Sequence, residues 1–290
     1  MDAVINFRKP EHISSQNAVT KVKRLFRVRK AGHAGTLDPM ATGVLIICLN
    51  EATKITSFLS DLEKEYLFSL KLGERTDTYD STGSTIEQTP CPSFTENDLR
   101  GVLEHFTGQI TQIPPMFSAI KKNGQPLYKL ARKGMTVKRP ERTVTIHSIE
   151  LIHVHLPYVD LNVQCSKGTY IRTLCDDIGR ALGVGAHMVS LERTRIGFFK
   201  IEHAVSLEEL PSHNKGACFS IDSALSHLNE ILLDKDAYHK ARNGRPVDVP
   251  CGTLHTNQYV RLKNPEKILF GIGRVEENTV KMVRMLHASP

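Results

Sequence analysis

No stretch of this chain approaches 18 consecutive apolar residues, so no membrane-spanning helix is expected. The opening MDAVINFRKP lacks the apolar region of a secretory signal and has no targeting character. Cysteine is sparse: six residues, at positions 48, 91, 165, 175, 218 and 251, with no CxxC pair among them. Scattered in this way they read as reduced thiols rather than a disulfide framework, and the expected compartment is the cytoplasm. Internal repeats and low-complexity tracts are also missing, so a solenoid or a biased tail is not expected.

What is present is a globular composition, 40% hydrophobic and 24% charged over 290 residues. A chain of this length buries roughly 75% of its unfolded surface and needs no covalent staple. It suffices for one large domain and a small one. The net charge of +7 favours a partner with a phosphate backbone. That charge is clustered. Lys21, Lys23, Arg24, Arg27, Arg29 and Lys30 form one group, and Lys129, Arg132, Lys133, Lys138, Arg139 and Arg142 a second. Each group also fits a solvated helix face or loop.

Periodicity gives a coarse map. Ser14 or Ser15 caps a helix reaching about Val28, with Ala18, Val22 and Leu25 on its apolar stripe beside Val19 and Phe26. Val44 to Leu49 reads as a strand buried on both faces, and Glu51 to Leu59 as a helix. Tyr66, Phe68, Leu70 and Leu72 recur at strand spacing. Gly73 to Gly83 is a polar loop whose Asp77 and Asp80 suit turn chemistry better than metal binding, because no His or Cys stands nearby. Thr95 caps a helix bearing Leu99, Val102, Leu103 and Phe106. Arg142 to Leu156 and Val159 to Cys165 form two strands joined near Pro157. His153 and His155 on the first lack a third ligand and read as ordinary strand residues. Thr169 to Leu182 is an amphipathic helix stopped by Gly183 and Gly185. Residues 205–220 are polar and read as a linker or loose loop. Short alternating segments with turns at Asn243-Gly244 and Glu277-Asn278 predict a small β-rich unit from about residue 228.

One loop stands out. Gly32 to Gly43, GHAGTLDPMATG, has three glycines, one proline and a single carboxylate, Asp38. Glycine and proline set backbone shape, so the loop is built to hold a conformation. Asp before Pro also serves as a plain turn residue, and the loop alone leaves both readings open. Arg172 falls in the first turn of a predicted helix, where a cation meets the positive end of the helix dipole. A nearby anion would relieve it, and Asp38 is a candidate. A carboxylate so paired is charged and fixed in aim, which a nucleophile requires.

Gly32 to Gly43 closely resembles the catalytic motif of the bacterial tRNA pseudouridine synthase B (TruB) family. The resemblance covers most of the chain. Lys9-Pro10 with Ser14-Ser15 is similar to the family's N-terminal element, and Lys64-Glu65-Tyr66 to the strand that supplies an active-site tyrosine. Gln112 to Ala119, Gly124 through Tyr128 to Gly134, and Cys165 to Arg172 match further segments. Gly185-Ala186-His187, Leu191 and Arg193 to Gly197 follow in order. The family glycine in the first element is His12 here, and Phe7-Arg8 replaces an apolar-acidic pair.

The resemblance implies an α+β fold: a mixed, largely antiparallel sheet with flanking helices, over residues 1–225. It implies a small β-rich unit similar to PUA RNA-binding modules over residues 226–290. The reaction implied is isomerisation of uridine 55 in the tRNA T-loop to pseudouridine, with no cofactor, no metal, no membrane and no protein partner required. Asp38 would be the nucleophile, Tyr66 would lie against the flipped base or sugar, and Arg172 would pair with Asp38. Tyr170 would line the base pocket, His33 would contact displaced nucleotides, Leu191 would border the flipped base, and Lys9 would support the site. The basic groups would hold phosphates of the T-arm.

Three rivals remain. A phosphatase with an aspartyl nucleophile needs a second acid two residues on, where this chain has Met40. A non-catalytic RNA-binding or tRNA-folding protein would not need Asp38, Tyr66, Tyr170 and Arg172 together. A guide-RNA-dependent synthase of related fold fits a short chain without long basic tails less well.

Overall fold

The computed structural model describes residues 1–118, 120–122, 124–210, 217–248 and 255–287. Ala119, Pro211, Asn214, Gly216 and Cys251 of the sequence reading lie outside the described residues. The other five cysteines are free thiols.

Ten strands make the main sheet. They are β1 (Val4–Lys9), β2 (Ala31–Ala34), β3 (Thr42–Leu49), β4 (Lys64–Leu72), β5 (Gly108–Gln112), β6 (Arg142–His155), β7 (Tyr158–Cys165), β8 (Ala186–Ile196), β9 (Phe199–Lys200) and β10 (Cys218–Phe219). The order is β10-β1-β3-β8-β4-β7-β6-β5, with β2 on β3 and β9 on β8. Pairing is antiparallel apart from β3 with β8. The second edge of β3 is divided. Thr42 and Gly43 face β8, whereas Ile46 to Leu49 face β2. The segment from Gly35 to Ala41 therefore emerges where β2 and β8 part. Gly43 makes that meeting possible. Its φ is +100°, and a Cβ there would stand 2.3 Å from the Arg193 carbonyl oxygen.

Helices cover the sheet where its strands bury alternate residues. α1 (Ser15–Leu25) is capped by Ser14, whose side chain accepts from the Asn17 amide. It buries Ala18, Val19 and Val22 against Ile5, Phe7, Leu45 and Ile47. The helix ends three residues before the expected Val28, because Arg27 takes a left-handed φ of 50°, and Leu25 is exposed rather than part of the stripe. Glu51 to Leu59 divides into a 3₁₀ segment, Asn50–Ile55, and a short α-helix, Thr56–Ser60. α2 (Glu96–Glu104) begins in a capping box between Thr95 and Asp98. α3 (Ile171–Ala181) lays Leu174 and Ile178 on Phe68, Leu70, Leu161 and Val163, and Tyr170 is its N-cap rather than its first turn.

Residues flanking 211–216 are not a loose linker. Arg8 N donates to the Val205 carbonyl and Val205 N to that of Asn6, Leu210 is fully buried, and β10 extends the sheet. Side chains that a composition count scores as polar are interleaved here with a few well-placed apolar anchors.

The last strands are β11 (Asn229–Leu232), β12 (Val247–Asp248), β13 (Tyr259–Lys263), β14 (Leu269–Glu276) and β15 (Thr279–Met285), in the order β11-β13-β14-β15-β12. A helix that periodicity did not suggest, α4 (Lys235–Arg242), precedes β12 under an Asp234 cap; among its residues only Ala241 is buried. Ile272 and Leu286 pack into one cluster with Val4, Ile46 and Ile55, which joins the small sheet to the large one. Lys54 Nζ donates to the Met285 carbonyl at 3.0 Å across the same contact. No helix among the described residues is long and apolar enough to cross a membrane.

Candidate active site

The Asp38 loop is held by its backbone. Lys9, fully buried at the end of β1, donates from Nζ to the carbonyls of Pro10 and Ile13 at 2.8 Å and of Pro39 at 3.3 Å. The His12 amide donates to the Pro39 carbonyl at 2.8 Å. The Ser15 hydroxyl accepts from the Leu37 amide at 2.8 Å and donates to the Leu37 carbonyl at 2.9 Å. The Ala41 amide closes the turn on the Asp38 carbonyl at 3.1 Å. The turn reading of Asp38-Pro39 thus describes how the acid is held.

Arg172 reaches the loop from the first turn of α3. Its Nε lies 2.9 Å from Asp38 Oδ2, with Arg172 5% exposed and Asp38 35%. The expected pairing is present. The guanidinium has three more acceptors: the carbonyls of Thr78 at 3.2 Å and Phe117 at 2.8 Å, and Asp80 Oδ2 at 3.3 Å. Burial pushes the Asp38 carboxyl above the usual carboxylate range; Arg172 and Lys9 oppose that rise and Asp80 adds to it. Burial brings Lys9 down to about 8, with Asp38 opposing.

Asp80 was read as a turn residue, and it is one: its Oδ1 accepts from the Thr78 hydroxyl at 2.8 Å and the Thr82 amide at 3.0 Å. The reading missed its second carboxylate oxygen, which faces Arg172. Asp77 serves the turn alone, accepting from the Ser84 amide. No group of three or more His, Cys, Asp or Glu among the described residues is arranged to hold a metal ion.

Both tyrosines lie near enough to Asp38 for its charge to raise their hydroxyl pKa. Tyr66 points from β4 into the cluster that also contains Leu37, Ala41 and Leu191. Burial raises its hydroxyl pKa, opposed by the Arg193 guanidinium that faces it. Tyr170 is held by Gln112, which was matched only as part of a segment. The buried Gln112 amide donates to the Tyr170 carbonyl at 3.2 Å and accepts from the Tyr170 amide at 3.0 Å. The Arg142 guanidinium sits 5.8 Å from the Tyr170 ring centroid. Leu191 also borders a cleft of about 440 Å³ with Met40 and Thr42. His33 stands apart: on β2 it feels Arg193 rather than Asp38, burial lowers its pKa, and its buried Nδ1 has no partner among the described residues. The six cations from Lys21 to Lys30 are all exposed.

The chain matches two family models: the N-terminal domain of TruB family pseudouridylate synthases over residues 23–171, and the tRNA pseudouridylate synthase B C-terminal domain over 172–237. It is 43% identical to the tRNA pseudouridine synthase B of Clostridium tetani, across 99% of this chain and 100% of that one. It is 41% identical to the protein of the same name from Haemophilus influenzae, across 100% and 96%. Among solved structures, an H/ACA RNP bound to a substrate RNA containing 2′-deoxyuridine superposes with a TM-score of 0.76 at 25% identity, covering 99% of this chain and 85% of that one. A Cbf5-Nop10-Gar1 complex gives 0.75 at 27%, covering 99% and 84%. With both family models matched and full-length relatives above 40% identity, this chain belongs to the TruB family of pseudouridylate synthases.

Proposed function

We propose that this protein is a tRNA pseudouridine synthase that converts uridine 55 of the T-loop to pseudouridine. The observation that carries the reading is the Asp38–Arg172 contact, a half-open carboxylate aimed by a buried guanidinium. The target base leaves its stack at a cost of a few kcal/mol, offset by stacking on Tyr66 and Tyr170 and contact with Leu191. The Asp38 carboxylate acts as nucleophile in breaking the C1′–N1 bond. The freed uracil turns and C5 bonds to C1′ as the Asp38 carboxylate leaves it; the C5 proton departs and N1 ends protonated. Tyr66 lies against base or sugar and takes part in that proton removal.

Lys9 supports the loop and His33 meets displaced nucleotides. The basic groups from 21 to 30, all exposed, and from 129 to 142, of which Lys129, Arg132, Lys133 and Lys138 are exposed, hold T-arm phosphates. Residues 226–290 form the RNA-binding accessory unit, and the protein works in the cytoplasm.

The test is an unmodified tRNA transcript incubated with the purified chain and no guide RNA, with tritium release and the product position mapped. Pseudouridine at position 55 is the expected outcome. Asp38→Asn should abolish turnover and leave tRNA affinity within about threefold, since binding rests on phosphate contacts. Turnover near wild type in that variant would remove Asp38 from the chemistry, and a requirement for guide RNA would favour the guide-dependent reading.

A further inference from the structure

Arg193 is the largest fully buried side chain among the described residues and is 1% exposed. Burying an arginine forfeits a large hydration energy, which a carboxylate partner normally offsets. Among the described residues it has none. Its Nε donates to the Val44 carbonyl at 2.8 Å, and its Nη2 to the Gly35 carbonyl at 3.1 Å. Gly35 opens the loop that carries Asp38, and Val44 is the third residue of β3, the strand into which that loop runs. Gly35 takes a φ of +91°, and Arg193 Nη1 lies 3.5 Å from where its Cβ would stand. Arg193 on β8 stands directly opposite Tyr66 on β4, and its charge opposes the rise of the Tyr66 hydroxyl pKa. One planar fork thus spans the neck of the loop beside the tyrosine.

A methionine would fill the same volume without a charge to bury. A charge is kept where two carbonyls that must stay a fixed distance apart need donors in a rigid plane. Resting on the function proposed above, we infer that Arg193 is a positioning residue for the reaction: its guanidinium closes the neck of the Asp38 loop and orients Tyr66. It touches neither nucleophile nor substrate in this arrangement. Its effect passes through the places of Asp38 and Tyr66.

The surroundings show why the residue is not a general anchor for RNA. Lys9, Lys64 and His33 surround it, and its charge lowers the pKa of each. Burial and this charge together bring Lys64 down to about 8. The Lys64 ammonium is itself spent on the carbonyls of Ser60 and Leu62. A phosphate has no route to a group that is 1% exposed.

The experiment compares Arg193→Met and Arg193→Lys with the unaltered chain on one tRNA transcript, measuring single-turnover rate, tRNA dissociation constant and thermal melting. A misplaced nucleophile costs on the order of 100-fold in rate. Arg193→Met should lose about that much with affinity within about threefold, and Arg193→Lys should recover part of it, because an ammonium supplies donors but not the rigid plane that sets the two carbonyls apart. An unaltered rate in Arg193→Met overturns the inference. So does a loss of affinity that matches the loss of rate, or a lysine variant no faster than the methionine one. If Arg193→Met fails to fold, Arg193→Lys decides: a slowed rate at unchanged affinity supports the assignment, and a wild-type rate overturns it. Absence of product from the unaltered chain is a separate result, and it counts against the proposed function instead.

Discussion

Asp80→Asn alters one atom pair in a buried network and leaves the side-chain volume unchanged. Asp80 Oδ1 already accepts from the Thr78 hydroxyl and the Thr82 amide, so the asparagine oxygen takes that place. The new NH2 group then faces Arg172 Nη1 across 3.3 Å, donor against donor. At an effective dielectric near 20, unit charges at the 3.3 Å separation attract by roughly 5 kcal/mol. That figure is a ceiling, because Arg172 keeps Asp38 and two carbonyls. A net loss of about 2–3 kcal/mol is expected, at or below the roughly 3–5 kcal/mol for breaking a buried ion pair outright, because other partners remain. Transmitted to the aim of Asp38, it lowers the chemical rate by about 30- to 150-fold.

The same substitution acts on pH in the opposite sense. Burial raises the Asp38 pKa above the usual carboxylate range, and the Asp80 charge raises it further. The nucleophile is the ionised form, so activity falls as pH drops through that raised pKa. Without the Asp80 charge the pKa of Asp38 falls, and the acid limb moves to lower pH. Single-turnover pseudouridine formation over a range of about pH 5 to pH 9 reads both effects. A slower enzyme whose acid limb lies lower is the expected result. An unchanged rate would show that Arg172 does not need Asp80, and an acid limb shifted upward would refute the electrostatic argument.

Three further outcomes follow from contacts already described. Gly43→Ala places a Cβ 2.3 Å from the Arg193 carbonyl at a φ of +100°, and should cost at least about 3 kcal/mol, seen as a melting temperature lower by roughly 6–10 °C. Gln112→Met keeps the volume but strands the Tyr170 amide and carbonyl; a loss of about 2 kcal/mol in denaturant unfolding and about tenfold in single-turnover rate is expected. Arg24→Glu with Arg27→Glu reverses two exposed charges, and should weaken tRNA binding and flatten its salt dependence by about one unit of slope per lost phosphate contact, with the single-turnover rate at saturation unchanged.

Local chemistry is what the sequence made legible. Ser14, one of the two candidate caps of α1, and Thr95 cap their helices, because an N-cap is decided within four residues. β4 follows from a period of two. The discomfort of a cation at a helix N-terminus makes Asp38 a candidate partner of Arg172, and the family resemblance implies the pair. Asp80 was not legible as a partner of Arg172. Its neighbours explain it fully as a turn residue, and Arg172 lies 92 positions on. Gln112 and Arg193 gave no signal for the same reason. Their acceptors are backbone carbonyls, and every residue type supplies one. α4 was missed because it buries too little to leave a period.

This division between side-chain and backbone recognition also accounts for His12. The chain replaces the family glycine there, and φ is 65°, the region where glycine is favoured. What the loop needs from this residue is its amide, which holds the Pro39 carbonyl, while the imidazole is 83% exposed and packs nothing beneath it. Histidine is among the residues that enter the left-handed region, at a cost of about 1–2 kcal/mol for a non-glycine residue. Lys9, His12 and Ser15 all reach the loop through its main chain, at Pro39 and Leu37. Arg193 does so at Gly35 and Val44. The loop is therefore fixed along its length without any contact to the Asp38 carboxylate, which is left to Arg172 alone among direct ion-pair partners of the described residues. Side chains that fix the frame tolerate exchange as long as the donated hydrogen bond survives, whereas exchange at Arg172 acts directly on the carboxylate that reacts.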